Sequence, residues 1–157
     1  MEKNKTIRQY LKEFGISSFK ITEDGVDIYQ NFYLPTNIKI DKLPFKINVC
    51  HGDFNIARNN INSFENFPYK VYGDFHIGWN KFESLEGGPI YVKGDYYCYD
   101  NPIKTNYTNT KIDGKFNTTL IEDGLNYINN SFVVSNYREW QIKYRRKSLI
   151  EKIKGGI

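Results

Sequence analysis

The spacing of apolar residues changes period along this chain, and each change predicts an element. Between residues 3 and 14, Ile7, Tyr10, Leu11 and Phe14 recur at intervals of three and four before Gly15, which predicts an amphipathic helix over 3–14. Thr6 and Gln9 make a Thr-x-x-Gln capping box at its start. From Phe19 to Ile28 the pattern becomes an alternation around Glu23-Asp24-Gly25, the signature of a hairpin. At the far end, Tyr137 to Lys154 contains no Gly or Pro. It sets Trp140 with Tyr144 and Leu149 with Ile153 at helical spacing, predicting a C-terminal helix.

Between these ends the chain repeats itself. Gly52-Asp53-Phe54-x-Ile56, Gly73-Asp74-Phe75-x-Ile77 and Gly94-Asp95-Tyr96-x-Cys98 follow one another at a step of 21 residues. The same step links Asn59, Asn80 and Asn101, then Ile61, Phe82 and Ile103, and it links Pro68 to Pro89. A weaker copy begins at Gly114-Lys115-Phe116, 20 residues after Gly94. Each unit reads as a short strand, with Phe75 and Ile77 inward and His76 outward, followed by a turn at Asn80 and a tight return. One such coil cannot bury its own apolar face, but stacked coils can. The pattern therefore predicts a solenoid with a parallel β-sheet.

Phe75-x-Ile77-x-x-Asn80-x-Phe82 is similar to the core of a leucine-rich repeat, with aromatics in place of leucines. Asn80-Lys81-Phe82-Glu83-Ser84-Leu85-Glu86-Gly87-Gly88-Pro89 and Gly94-Asp95-Tyr96-Tyr97-Cys98 resemble a family of short-repeat proteins common in tailed bacteriophages. The lead-in from Phe19 to Ile28, followed by Leu43-Pro44-Phe45, is similar to that family's as well. The resemblance covers about residues 16–103. It implies an α+β, leucine-rich-repeat-like solenoid and carries no catalytic residue with it. The expected organisation is one domain: a helix and hairpin cap over 1–42, the repeats over 43–120, and a degenerate repeat with a basic helix over 121–157.

Composition narrows the function classes. Ala occurs once, at Ala57, which argues against a helical bundle. No apolar run is long enough to span a bilayer, and Met-Glu-Lys-Asn-Lys does not open like a secretory signal, so a cytoplasmic protein is expected. The net charge is +4, but residues 137–157 alone contribute +5, so the rest of the chain is nearly neutral. Phosphate-loop, nucleophile-elbow, zinc-protease and dinucleotide motifs are all absent, and no cofactor or metal is expected. Cys50 and His51 are adjacent, yet Cys50 shares the register of Val71 and Val92 and reads as core. Cys98 shares that of Ile56 and Ile77. The expectation is a protein without catalytic activity.

Outward positions repeat too. One ladder runs Asp53, Asp74, Asp95 and ends at Lys115; a second runs Asn55, His76, Tyr97 and Asn117. A third runs Ala57, Gly78, Tyr99 and Thr119, with Arg58, Trp79 and Asp100 beyond it. The aspartates read either as solvated carboxylates that open each strand or as an acidic stripe for a basic partner. Trp79, Tyr97, Tyr99 and His76 are the stronger contact candidates, because Tyr and Trp bring large contact area at low rotamer cost. The expected protein-binding face is thus Asp53, Asn55, Arg58, Asp74, His76, Trp79, Asp95, Tyr97 and Tyr99. In the tail, Arg138, Lys143, Arg145, Arg146 and Lys147, with aromatics interleaved, are candidates for nucleic acid or an acidic partner. The phage resemblance implies a small protein that binds and alters a host protein, such as a counter-defence or anti-CRISPR-type inhibitor; the alternative is a nucleic-acid-binding protein.

Overall fold

The computed structural model describes residues 5–104, 108–117, 121–122 and 125–126. It contains one helix, α1 (Ile7–Glu13), among the described residues. The capping box forms: the Gln9 amide donates to Thr6 Oγ1 at 3.2 Å and the Thr6 amide to Gln9 Oε1 at 2.7 Å. Thr6 is thereby the N-cap, so the helix starts later than the apolar spacing alone predicts. The predicted C-terminal helix lies outside the described residues.

The strands in chain order are β1 (Phe19–Thr22), β2 (Gly25–Ile28), β3 (Phe32–Tyr33), β4 (Ile47–Cys50), β5 (Phe54–Asn55), β6 (Lys70–Val71) and β7 (Phe75–His76). They continue as β8 (Tyr91–Val92), β9 (Tyr96–Tyr97), β10 (Lys111–Ile112), β11 (Phe116–Asn117), β12 (Ile121–Glu122) and β13 (Leu125–Asn126). The hairpin predicted around Glu23-Asp24-Gly25 is β1 paired antiparallel with β2. After it the pairing turns parallel and stays so through β11, giving a solenoid of about four turns.

Each coil carries two short strands, not the single strand read from the repeat. The first sheet is ordered β1-β2-β4-β6-β8-β10 and the second β11-β9-β7-β5-β3. The missed strand lies before the Gly-Asp corner, where Lys70-Val71 and Tyr91-Val92 are too short to show an alternation. Parallel pairing also reaches back to β2 and β3, inside the segment expected as a cap. The weak copy at Gly114 is a true rung, with Phe116 opposite Tyr96.

Between the sheets lies a column of rings, one per coil. Phe32 stacks on Phe54 at 5.1 Å, Phe54 on Phe75 at 5.7 Å, and Tyr96 follows Phe75 at 4.8 Å. Leu11 of α1 is buried, and Phe14 meets Phe32 edge-on at the end of this column. Val71, Val92, Cys50, Ile56 and Ile77 belong to the same core.

Two polar ladders hold the corners. Asn80 is buried, donates to the carbonyls of Ile56, Ile77 and Gly78, and accepts from the Ile61 amide at 3.1 Å. Asn59 and Asn101 repeat the arrangement one coil away on either side. Their side chains satisfy turn groups that burial would otherwise leave orphaned. At the opposite corner each Asp accepts from the next coil's backbone: Asp53 from the Asp74 amide, Asp74 from the Asp95 amide, and Asp95 from the Lys115 amide, at 2.7–2.8 Å. Glycine precedes each Asp because the coils approach so closely there. A Cβ on Gly73 would collide with the Asp53 carboxylate and the Gly52 backbone, and one on Gly94 would repeat the clash against Asp74 and Gly73.

Candidate functional site

The turns that follow β3, β5, β7 and β9 of the second sheet are each left-handed at one residue: Asn37, Arg58, Trp79 and Asp100, with φ between 52° and 60°. These positions stack in register: the Asn37 amide donates to the Arg58 carbonyl, the Arg58 amide to that of Gly78, and the Trp79 amide to that of Tyr99. Asn and Asp adopt this conformation readily, whereas a long or bulky side chain gains nothing there and costs about 1–2 kcal/mol. The reward at Arg58 and Trp79 is contact. The Arg58 guanidinium lies over the Trp79 ring at 3.9 Å from its centroid. Such a pair contributes roughly 0.5–1 kcal/mol when exposed.

Trp79 also meets Tyr99 edge-on at 4.6 Å and His76 at 6.0 Å, and His76 stacks on Tyr97 at 5.1 Å. Arg58, His76, Trp79, Tyr97 and Tyr99 therefore form one continuous cluster on the second sheet. His76 is fixed in it by both ring nitrogens. The Gly78 amide donates to Nδ1 at 3.2 Å, so the proton sits on Nε2, which lies 2.9 Å from the Tyr99 hydroxyl. Burial holds His76 below its ordinary pKa, and the Arg58 charge adds to this while Asp74 opposes it. The neutral imidazole is thus a rigid linker between Gly78 and Tyr99. Gly78 itself is a close approach, since a Cβ there would press on His76 and Tyr99.

The aspartates border the cluster but are partly spent on the fold, each with one oxygen held by the neighbouring coil. For two of them the other oxygen accepts from a hydroxyl: Tyr97 donates to Asp95 Oδ2 at 3.0 Å and Tyr33 to Asp53 Oδ2 at 3.3 Å. Burial, with Asp95 beside it, pushes the Tyr97 hydroxyl up to about 12. All three carboxylates are half-buried, at the entry to their strands. Asn55 accepts from the Ala57 amide at 2.9 Å, the same local bond that His76 makes to Gly78. Asn117, expected outward beneath Tyr97, is buried.

Cys50 and Cys98 are buried thiols that are not joined in a disulfide. Cys50 lies opposite Val71, and burial pushes its thiol up to about 11, away from the range of a reactive thiolate. Among the described residues no group of three His, Cys, Asp or Glu side chains could hold a metal ion. None of the described helices is long and apolar enough to cross a membrane. Arg138, Lys143, Arg145, Arg146 and Lys147 lie outside the described residues.

A second aromatic feature escaped the sequence reading. On the first sheet Tyr29 stacks on His51 at 4.7 Å and His51 on Tyr72 at 5.4 Å, their rings nearly parallel. The 21-residue step from His51 to Tyr72 was the available signal. It pointed to this column only once the extra strand set both residues outward. These rings cover one another's faces, whereas the Arg58–Tyr99 cluster presents mixed edges and faces around a cation. Comparison with protein families, with curated proteins and with solved structures finds no match for this chain.

Proposed function

We propose that this chain is a non-catalytic recognition protein that binds a protein partner through the outer face of its second sheet. The observation that carries the reading is the contact cluster of Arg58, His76, Trp79, Tyr97 and Tyr99. Tyr, Trp and Arg are the residues that dominate binding energy in protein interfaces, and here they are held rigidly by neighbouring coils. The solenoid is of the leucine-rich-repeat-like kind, and the partner is a host protein in the bacterial cytoplasm, bound to alter its activity as a phage counter-defence factor would. The basic segment from Arg138 to Lys147 supports a second reading, nucleic-acid binding, through its charge of +5 over residues 137–157.

Capture from bacterial lysate by the tagged chain, with and without nuclease, separates the two. Protein recognition predicts one stoichiometric protein that survives nuclease and moderate salt, and that is lost when Trp79 and Tyr97 become Ala. Recovery that collapses with nuclease and is indifferent to those substitutions would transfer the function to the basic segment.

A further inference from the structure

We infer that the groove beside Trp79 is a receptor for a single carboxylate side chain of the partner, with the Arg58 guanidinium as its binding group; this rests on reading the face as a recognition surface. The groove, about 300 Å³, is lined by residues that include Asn37, Arg58, Asn60, Trp79, Lys81 and Asp100.

The backbone supplies the first argument. Four stacked turns are left-handed at the same position, and the outer two use Asn37 and Asp100, residue types suited to that conformation. The inner two use Arg58 and Trp79, which are not. Strain kept where a cheaper residue type serves the adjacent coil marks side chains retained for what they touch. Both of these side chains turn toward the groove.

Charge supplies the second. The ion pairs among the described residues belong to Lys5, Lys42 and Lys104, and none involves Arg58 or Lys81. Arg58 is exposed, its guanidinium carbon 3.9 Å from the centre of the Trp79 ring, and among the described residues its side chain makes no ion pair. A planar fork of donors matches the two oxygens of a carboxylate in a bidentate pair. Lys81 adds a second cation, while Asn37 and Asn60 add neutral amide donors. With Asp100 on the rim, the formal charge of the lining is only +1. The groove therefore suits one carboxylate flanked by neutral residues and disfavours a polyanionic strand.

The test follows the Arg58 Nε–H and Trp79 indole signals of the isotope-labelled full chain by NMR at constant ionic strength. The titrants are the acetylated, amidated tripeptide Gly-Glu-Gly, its Gln counterpart, and inorganic phosphate. The expected result is a saturable shift with the Glu peptide alone. Arg58→Lys, which keeps the charge and loses the fork, should weaken it at least about tenfold with an unchanged melting temperature. Equal response to the Gln peptide, response to phosphate alone, no response, or indifference to Arg58→Lys would each overturn the inference. Partner capture that survives Arg58→Lys but fails in Trp79→Ala would leave the recognition face standing and remove only the carboxylate receptor.

Discussion

Tyr96 occupies a column that is otherwise phenylalanine, between Phe75 and Phe116. It is fully buried, and its hydroxyl has no hydrogen-bond partner among the described residues. Tyr96→Phe removes that uncompensated group and should stabilise the chain by about 1 kcal/mol, read as a rise in the denaturant midpoint at constant slope. His76 sets a second expectation. Its folded pKa lies below the unfolded value of about 6.5, so between the two the unfolded chain binds more protons. Stability is full above about pH 6.5 and falls as the pH drops through that window. His76→Asn, which can take the acceptor role that Asn55 plays one coil earlier, should flatten this slope in melting curves from pH 7 to 5. An unchanged slope would remove His76 as its source. Individual inward and outward assignments were legible in the sequence: Phe75 and Ile77 are buried and His76 is not. The left-handed turn at Arg58 and Trp79 was hidden, because neither residue type signals a positive φ.

Most elements here are two-residue strands, and what holds them is the corner chemistry more than strand propensity. In the first corner the acceptor is an amide: Asn31 Oδ1 takes the Asp53 backbone N–H at 2.8 Å, just as Asp53 takes that of Asp74. The carboxylate's charge is therefore not needed for the bond. Asp74→Asn should leave the melting temperature unchanged or higher, since stacked like charges repel. Asp74→Ala should cost about 1–2 kcal/mol by stranding the Asp95 amide. A partner that tolerates Asp74→Asn would further show that the aspartate serves the fold. Gly94→Ala forces a methyl group against Asp74 and the Gly73 backbone, and should cost about 2 kcal/mol or more in thermal unfolding. The Gly-Asp repeat was plain in the sequence, but its reason was not. A bond spanning 21 residues becomes visible only when the coil-to-coil register is known. The same holds for the second strand of each coil, whose two residues carry no periodicity of their own.

For the whole molecule the repeat was decisive, because a fixed step of 21 residues leaves stacked coils as the way to bury one apolar face per unit. It also set the candidate face, since residues one step apart must lie side by side. Arg58, Trp79 and Tyr99 are brought together by that stacking, although 41 positions separate the outer two in the chain. A recognition surface built this way depends on the register of three consecutive coils. Binding should therefore respond to substitutions under the face as well as on it. Gly78→Ala, which presses on His76 and Tyr99, should weaken partner binding several-fold more than its effect on melting temperature implies. The most direct test of the account is the affinity of the captured partner for four purified chains: wild type, Trp79→Ala with Tyr97→Ala, Gly78→Ala, and a chain with Arg145, Arg146 and Lys147 changed to Ser. The account predicts a loss of at least about a hundredfold for the double variant, consistent with two interface anchors, and near wild-type binding for the neutralised tail. Full binding by the double variant with loss in the neutralised tail would contradict it.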